Sequence, residues 1–399
     1  MVNFRSFMAS AVLLCAQTVW AEPQYDRLEV TDGVFMKPAL AVDVEFDDNI
    51  FRLNRNTQSS LVTRVAPAVE LETAGDGTRL VLGYGGNYGF VASSSDDNYD
   101  HHTVRLDGHL ERPRSEVDVT AAFTAASDPR GTGPSDALEL ADRVAFTAPA
   151  KFEDWRLGVD ARFGTRGTRA GASLGYEVLD REYQNLRDFT RPRDRRRHDF
   201  RAGSHYILTG RTRAVVNVSR THVDYGFQPE GDATLDSVEH RATAGIRWEG
   251  IGGSTGTVQV GWHEKDFDAE TRSDQSGLTW EAGVTWTPGL RATLGAFTRS
   301  GFEETHNVGS ARKVARAGVL WGHTWRDGLR SRVEVEYVEE TFRDLDRKDE
   351  FHQVAVGLDY DVTPWLTVGA GARYSNRDSN VRAADYDRSV GFVQVKMSL

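Results

Sequence analysis

An all-β fold, closed as a transmembrane antiparallel β-barrel of about 18 strands (16–18), is what this 399-residue sequence predicts. Three observations predict it. Polarity alternates residue by residue over most of the chain. Tight turns alternate with long polar loops. Outside the first two dozen residues, no apolar run approaches the length a spanning helix needs. Composition points the same way: 10% aromatic residues argue against disorder, and 27% charged residues argue against a helical membrane protein.

The N-terminus reads as a secretory signal, residues 1–21, ahead of a single barrel domain, 22–399. Arg5 provides the positive region, Phe7 to Ala16 the short apolar core, and Val19-Trp20-Ala21 the small residues of a cleavage site. Cys15 is preceded by Leu14, where a lipoprotein would carry a small residue. Cleavage after Ala21 removes Cys15, the one cysteine, so the exported chain relies on hydrogen bonding and packing rather than disulfides.

The strands follow from period-two patterning. In Trp155–Phe163, Trp155, Leu157, Val159, Ala161 and Phe163 share one face; Arg156, Gly158, Asp160 and Arg162 share the other. Val238–Glu249, Leu278–Trp286, Val354–Val362 and Leu366–Tyr374 repeat the pattern. Tight turns are expected at Thr73–Thr78, Arg112–Arg114, Gly210–Thr212, Gly250–Gly253, Thr287–Gly289, Arg326–Gly328 and Thr363–Trp365. Long loops are expected at 47–60, 85–100, 126–153, 185–197, 224–236, 265–276, 300–312, 343–350 and 375–387. The segment Leu138–Ala148 would make a nineteenth strand; it breaks the long/short alternation and the even count of single-chain bacterial barrels, so it belongs to the 126–153 loop. The chain finishes on a strand, with Gly391, Val393, Val395, Met397 and Leu399 on one face. That resembles the C-terminal assembly signal of outer-membrane proteins, apart from Leu399 where Phe is usual.

A soluble sandwich alternates too, with its apolar side inward. The strict alternation of turns and loops favours a barrel in the Gram-negative outer membrane. So do Tyr176, Tyr206, Trp248, Trp262, Trp286, Trp321, Tyr337, Tyr360 and Tyr374 on the apolar faces, where aromatic girdles would lie. The polar faces then line a lumen. Its candidate residues are Arg64, Arg79, Arg105, Arg156, Arg162, Arg201, Arg241, Arg247, Arg291, Arg299, Arg316, Arg332 and Arg373, with Asp160, Glu239, Glu281 and Glu334. Further acids on the same faces are Asp43, Glu45, Glu70, Asp107, Asp118, Glu177, Glu336 and Asp359. Of the 48 basic residues only those at 37, 151, 265, 313, 348 and 396 are Lys. Arginine is planar, permanently charged and able to grip carboxylates bidentately. Either the arginines pair with wall carboxylates and stiffen the barrel, or some of them reach into the lumen toward acidic sugars.

No catalytic, cofactor or metal constellation emerges. His101-His102 on a strand would face opposite sides. Gly83–Gly89 opens no helix, which excludes a phosphate loop. Asp96, Asp97 and Asp100 read as a disordered acidic loop with calcium binding as the alternative. Arg191–His198 reads as a basic outer loop facing lipopolysaccharide phosphates or neighbouring acids. The acidic balance, net −11, disfavours nucleic acid.

At Pro38-Ala-Leu-Ala-Val42, Phe46-Asp-Asp-Asn-Ile-Phe-Arg52, Val65-Ala-Pro-Ala-Val69, Arg79 to Tyr84, Arg130-Gly-Thr-Gly133 and Arg181-Glu-Tyr-Gln-Asn185 the chain resembles the beta-barrel porin-2 family of outer-membrane proteins. Members often accompany exopolysaccharide or capsule synthesis genes. The resemblance implies a passive conduit for polymer export, with the polysaccharide chain, outer-membrane lipid and lipopolysaccharide, and a periplasmic export protein as partners. Three alternatives stand beside it: a sugar or anion uptake porin, a plugged structural barrel, and a surface hydrolase, for which no Ser–His or carboxylate–His pair stands at convincing spacing.

Overall fold

The computed structural model describes residues 28–138, 146–164, 168–305 and 309–398, so the signal segment lies outside the described residues, as does 139–145 of the candidate nineteenth strand. Eighteen long strands, from Val34–Asp47 to Tyr386–Ser398, form one antiparallel sheet in which each pairs with its chain neighbours. The sheet closes where Val390–Ser398 of the last strand pair with Asp47–Ala39 of the first. Closure removes both edges, as a hydrocarbon environment requires. A short strand, Leu28–Thr31, pairs with Val34–Met36 and continues the seam below the point where the last strand ends.

The connections at the two ends of the barrel differ in length, with 164–169, 287–291 and 343–346 as the exceptions. Short ones fall at 76–77, 113–114, 164–169, 210–211, 252–253, 287–291, 327–328 and 364–365; longer ones fall at 48–59, 92–98, 129–149, 184–194, 226–236, 268–274, 305–310, 343–346 and 380–385. The turn at 164–169 was absent from the expected set. Asp76-Gly77 and Asp327-Gly328 turn tightly because Gly77 and Gly328 take φ of +75° and +79°, which a side chain would oppose. The residues of the 138–148 segment that are described lie in the 129–149 loop, outside any strand.

Several expected loops are shorter than the sequence suggested. Strands run to Val91, Glu304 and Ser379 and resume at Arg195, so Gly83–Gly89 and Arg195–His198 are strand. The reason is physical. Strands here hold 12 to 17 residues, more than the 9–11 that span a bilayer. Their upper ends stand above the lipid, where outward positions need not be apolar and the alternation that marks a strand is lost. Outward pairs there are charged: Arg196 with Asp180, and Lys348 with Glu339 and Glu350 at 3.0 and 2.9 Å.

Between these ends the outer face is apolar. Trp155, Leu157, Val159 and Phe163 are 39–61% exposed, as are comparable residues on neighbouring strands. Two aromatic belts bound the band. On the short-turn side, the indole N–H groups of Trp248, Trp286 and Trp325 donate to Ser254 Oγ, the Gly252 carbonyl and Ser331 Oγ at 3.0, 3.1 and 2.9 Å. On the long-loop side, Trp262 donates upward to Glu264 at 3.0 Å and the Tyr374 hydroxyl to Asp387 at 2.7 Å. Each ring keeps its body in the apolar band and its polar atom away from it.

Val258 lies midway between the belts on the outer face, 46% exposed. Val258→Arg should therefore cost about 2–4 kcal/mol in denaturant-dependent refolding into phospholipid bilayers, with Val258→Leu near neutral. An Arg tolerated without cost would contradict the lipid-facing assignment.

Candidate channel lumen

Strand parity places every candidate lumen residue on the inner face except Arg291. That residue sits in the 287–291 turn, and its guanidinium donates to the Trp325 carbonyl at 3.4 Å. The proline and glycine before it end the preceding strand early, so the alternation that seemed to carry Arg291 inward stops short of it.

Pairing across strands brings most of the others together as ion pairs. Arg64 donates to Asp43 at 2.8 Å and also grips Glu45. Lys37 and Arg79 share Glu72 at 2.6 and 2.7 Å. Arg105 meets Asp107 at 2.8 Å. Arg162 joins Glu116 at 2.9 Å and reaches Asp118, which also holds His109 at 2.7 Å. Arg201 bridges Asp160 and Asp199 at 3.2 and 3.3 Å. On the far side Arg312 and Arg316 share Glu303 at 3.2 and 3.6 Å, Arg332 meets Glu334 at 3.4 Å, and Arg241 stands 3.9 Å from Glu281. Arg299 faces Glu281 and Arg316 across the sheet, and Arg373 lies opposite Ala355 and Val390. The wall-stiffening role thus accounts for most candidate arginines. Arg156, Arg197 and Arg247 differ: none has a hydrogen bond or ion pair among the described residues, and the Arg247 Nε is shielded from solvent.

One inward cluster was hidden from the sequence. Lys265 is fully buried, held by Glu239 at 2.9 Å and by Glu304; Glu239 also lies 3.3 Å from His263, and the Tyr225 hydroxyl donates to Glu304 at 2.5 Å. Lys265 and Glu304 fell in expected loops, and parity alone would put Glu304 outside. The strand Ala292–Glu304 pairs with Gln275–Trp286 only up to Trp280. Beyond that point its upper end leans inward across the wall, and Thr305 accepts a hydrogen bond from Arg193 at 3.2 Å.

The described start of the 129–149 loop, residues 129–138, also folds inward. Arg130 bonds Asp97 at 2.8 Å and lies 4.1 Å over the Phe51 ring, so the loop runs along its neighbours inside the rim. Gly131, at φ +82°, lets it pass: a Cβ there would sit 2.1 Å from the Phe51 carbonyl oxygen. The loop reaches Arg347 and Arg377, which hold Asp136 at 2.9 and 2.7 Å. Those arginines stand on Arg347–Thr363 and Leu366–Ser379. The strands Tyr386–Ser398, Val34–Asp47, Ser60–Gly75, Thr78–Val91 and Tyr99–Arg112 lie between them and the loop's own hairpin.

Other expectations resolve locally. Asp97 is buried against Arg130 and Ser94, which replaces both the disordered acidic loop and the calcium reading for that residue. His101 faces inward to Ser127 at 2.9 Å, while His102 faces outward to Tyr84 at 3.0 Å. Within Arg191–His198 the basic residues divide: Arg191 lies 4.1 Å over Phe227, Arg193 is buried, Arg195 and Arg197 face the lumen, and Arg196 and His198 face out. A single solvated outer loop is thereby corrected to a strand start with two faces.

An apolar outer band between aromatic belts, around an ion-paired inner wall, defines a transmembrane β-barrel of the outer-membrane kind. Residues 22–399 match the family described as "Putative beta-barrel porin 2", and the chain belongs to that family. No curated relative matches it. Among solved structures it is similar to OpdO of Pseudomonas aeruginosa (14% identity, 91% of this chain and 97% of that chain, TM-score 0.50). OccAB3 of Acinetobacter baumannii also matches (10% identity, 91% and 99%, TM-score 0.49). At these identities the likeness to OpdO is one of fold.

Burial alone would raise the Asp136 pKa, but the guanidiniums of Arg377 and Arg347 overcome it and hold the carboxyl below the usual carboxylate range. A depressed pKa means the link is complete at neutral pH and is lost as pH falls through that depressed value. Protease cleavage within 129–149 of the folded barrel should therefore accelerate only below about pH 4. Asp136→Ala should release the loop at neutral pH, since removing one partner of a buried pair costs about 3–5 kcal/mol. Equal cleavage rates for variant and parent would show that the link does not hold the loop.

Proposed function

We propose that the barrel is a passive porin that admits small anionic solutes to the periplasm. The observation that carries this reading is a set of inward arginines on one wall that make no carboxylate hydrogen bond or ion pair among the described residues: Arg156 and Arg247, with Arg197, which acts on Glu239 only at longer range, on the strands Ala150–Phe163, Ser237–Ile251 and Arg195–Thr209. Elsewhere wall acids neutralise wall bases. Fixed charge in a water-filled pore selects ions of opposite sign, and conduction needs contacts weak enough to release the solute. A spaced series of guanidiniums, with Arg213 beside Arg247 at its lower end, meets both conditions. Membership of a porin family and a barrel of 18 strands, wide enough for an aqueous lumen, support the same reading.

Export of an exopolysaccharide was the leading expectation from the sequence. It drew on the abundance of lumen arginine and on the family resemblance. With most of those arginines committed to wall carboxylates, few remain to hold a polyanion in series, and no observation on this chain favours a polymer. The uptake alternative is accordingly preferred. The plugged barrel and the hydrolase likewise gain no support from the inner wall.

The reversal potential of the purified protein in planar bilayers under a KCl gradient should show a preference for chloride. Arg156→Gln with Arg197→Gln should move it toward potassium by at least about half of the wild-type offset, each guanidinium contributing Coulomb energy of order 1 kcal/mol in water. A wild-type channel that prefers potassium, or one with no conductance, would end this reading. Loss of surface polymer in a deletion strain, with solute entry unchanged, would restore the export alternative.

A further inference from the structure

We infer that the short-turn end of the lumen carries a binding subsite for a phosphate-type dianion, formed by Arg213, Arg247 and His205. The inference rests on the porin reading for its place on a solute path, and goes further by naming the ligand chemistry.

Arg213 and Arg247 are directly opposite one another on the strands Thr212–Tyr225 and Ser237–Ile251, beside the turns at 210–211 and 252–253. Both face inward. Like charges in directly opposed positions oppose strand pairing, and the barrel usually avoids them. Arg64 faces Asp43, Arg162 faces Glu116, Arg181 faces Asp154 and His109 faces Asp118. Arg299 does face Arg316, but Glu281 lies across from Arg299 and Glu303 bonds Arg316. The lower pair is compensated on one side only, by Glu249 at Arg213. Beyond Arg247 the next residue across is Thr257, and beyond Arg213 it is Ile207. Arg213 has one carboxylate within reach, Glu249, at a long 3.8 Å on the exposed rim. Arg247 has none, and its Nε is shielded from water without a hydrogen bond. A shielded donor in that state calls for an acceptor.

The surroundings suit an oxyanion. His205, on the adjacent strand opposite Val215, lies close enough to both guanidiniums to interact with them electrostatically. Its ring lies over Gly171, on the strand to the other side, where a Cβ would come within 2.2 Å of Cε1, so the imidazole borders the site and does not stand between the two forks. Above the pair, Asn217, Thr243 and Gln259 bond to one another at 2.6 and 3.2 Å and add no charge. The site therefore offers two guanidinium forks from neighbouring strands, the Arg213 fork partly offset by Glu249, with one imidazole at its border. A monocarboxylate satisfies one fork. A tetrahedral oxyanion has enough oxygens for both, and a dianion can compete with Glu249 for Arg213. Inorganic phosphate and the phosphoryl group of an organic ester share that chemistry.

The test is block of single-channel chloride current by inorganic phosphate, glycerol phosphate and acetate added on the short-turn side. Phosphate should block, acetate should not, and Arg213→Gln with Arg247→Gln should raise the half-blocking concentration by at least about tenfold. Arg247→Lys, which keeps the charge and loses the fork, should fall between. Conducting channels formed by each variant report that it has folded. Equal block by both phosphates assigns the site to phosphoryl groups in general, and block by the inorganic ion alone assigns it to free phosphate. An unchanged half-blocking concentration in the double variant, or equal block by acetate, overturns the subsite even where chloride selectivity upholds the porin reading. Phosphate block lost in the double variant of a potassium-selective channel upholds the subsite and removes the porin reading instead.

Discussion

Every backbone N–H and C=O that enters hydrocarbon needs a partner inside the protein, and the rest of this structure follows from that requirement. The chain meets it by returning its last strand to its first: Ser398 lies opposite Ala39 and Val390 opposite Asp47. A ring of antiparallel strands joined by hairpins must place successive side chains on opposite sides of one continuous wall. One side meets lipid and becomes Val, Leu, Trp and Phe. The other meets water and is free to carry charge. Inner and outer chemistry are thus a single constraint expressed on alternate residues, which is why 27% charged residues and a membrane location are compatible.

Charge on the inner wall then has its own rule. A guanidinium facing a hydrated lumen gains little from one exposed carboxylate. Shared acids do better, because one ordered side chain serves two partners. Glu72 serves Lys37 and Arg79, Asp118 serves Arg162 and His109, and Glu303 serves Arg312 and Arg316. At the mouth the same device draws segments inward. Asp136 is held by two arginines from distant strands, and Glu304 by Lys265 and Tyr225. The long-loop end is therefore narrowed by satisfied, buried charge, while the opposite end displays arginines whose donors are not matched.

The fold was legible because lipid enforces alternation wherever it touches the wall. Trp155–Phe163 and Leu366–Tyr374 could be read from period two alone, and strand parity carried all but one of the lumen candidates to the correct face. Legibility failed where lipid stops. Thr78–Val91 and Leu366–Ser379 continue above the membrane with Gly86, and with Asn376 and Asp378, on the outer face, and the upper end of Ala292–Glu304 leans inward with Ser300 and Phe302 buried, so these ends looked like loop. Lys265 and Glu304 were lost in the same way. The partners of individual arginines were illegible for a different reason: they depend on register between strands. That Arg213 meets Arg247 while Arg64 meets Asp43 is a property of pairing, with no trace in either strand alone.

Register also bears on the two meanings first open for the arginines. Had the bases faced one another generally, self-repulsion would have demanded a mobile polyanion to offset it, and a polymer would have been the natural occupant. Instead the pairing sets bases against acids over most of the wall and leaves a few exceptions at separate heights. Arg197 lies toward the long loops, Arg156 lies between, and Arg247 lies beside the short turns. Positive positions separated along a largely neutralised wall offer a solute successive local contacts. That arrangement suits a small anion moving from site to site better than a long chain that must be gripped along its length.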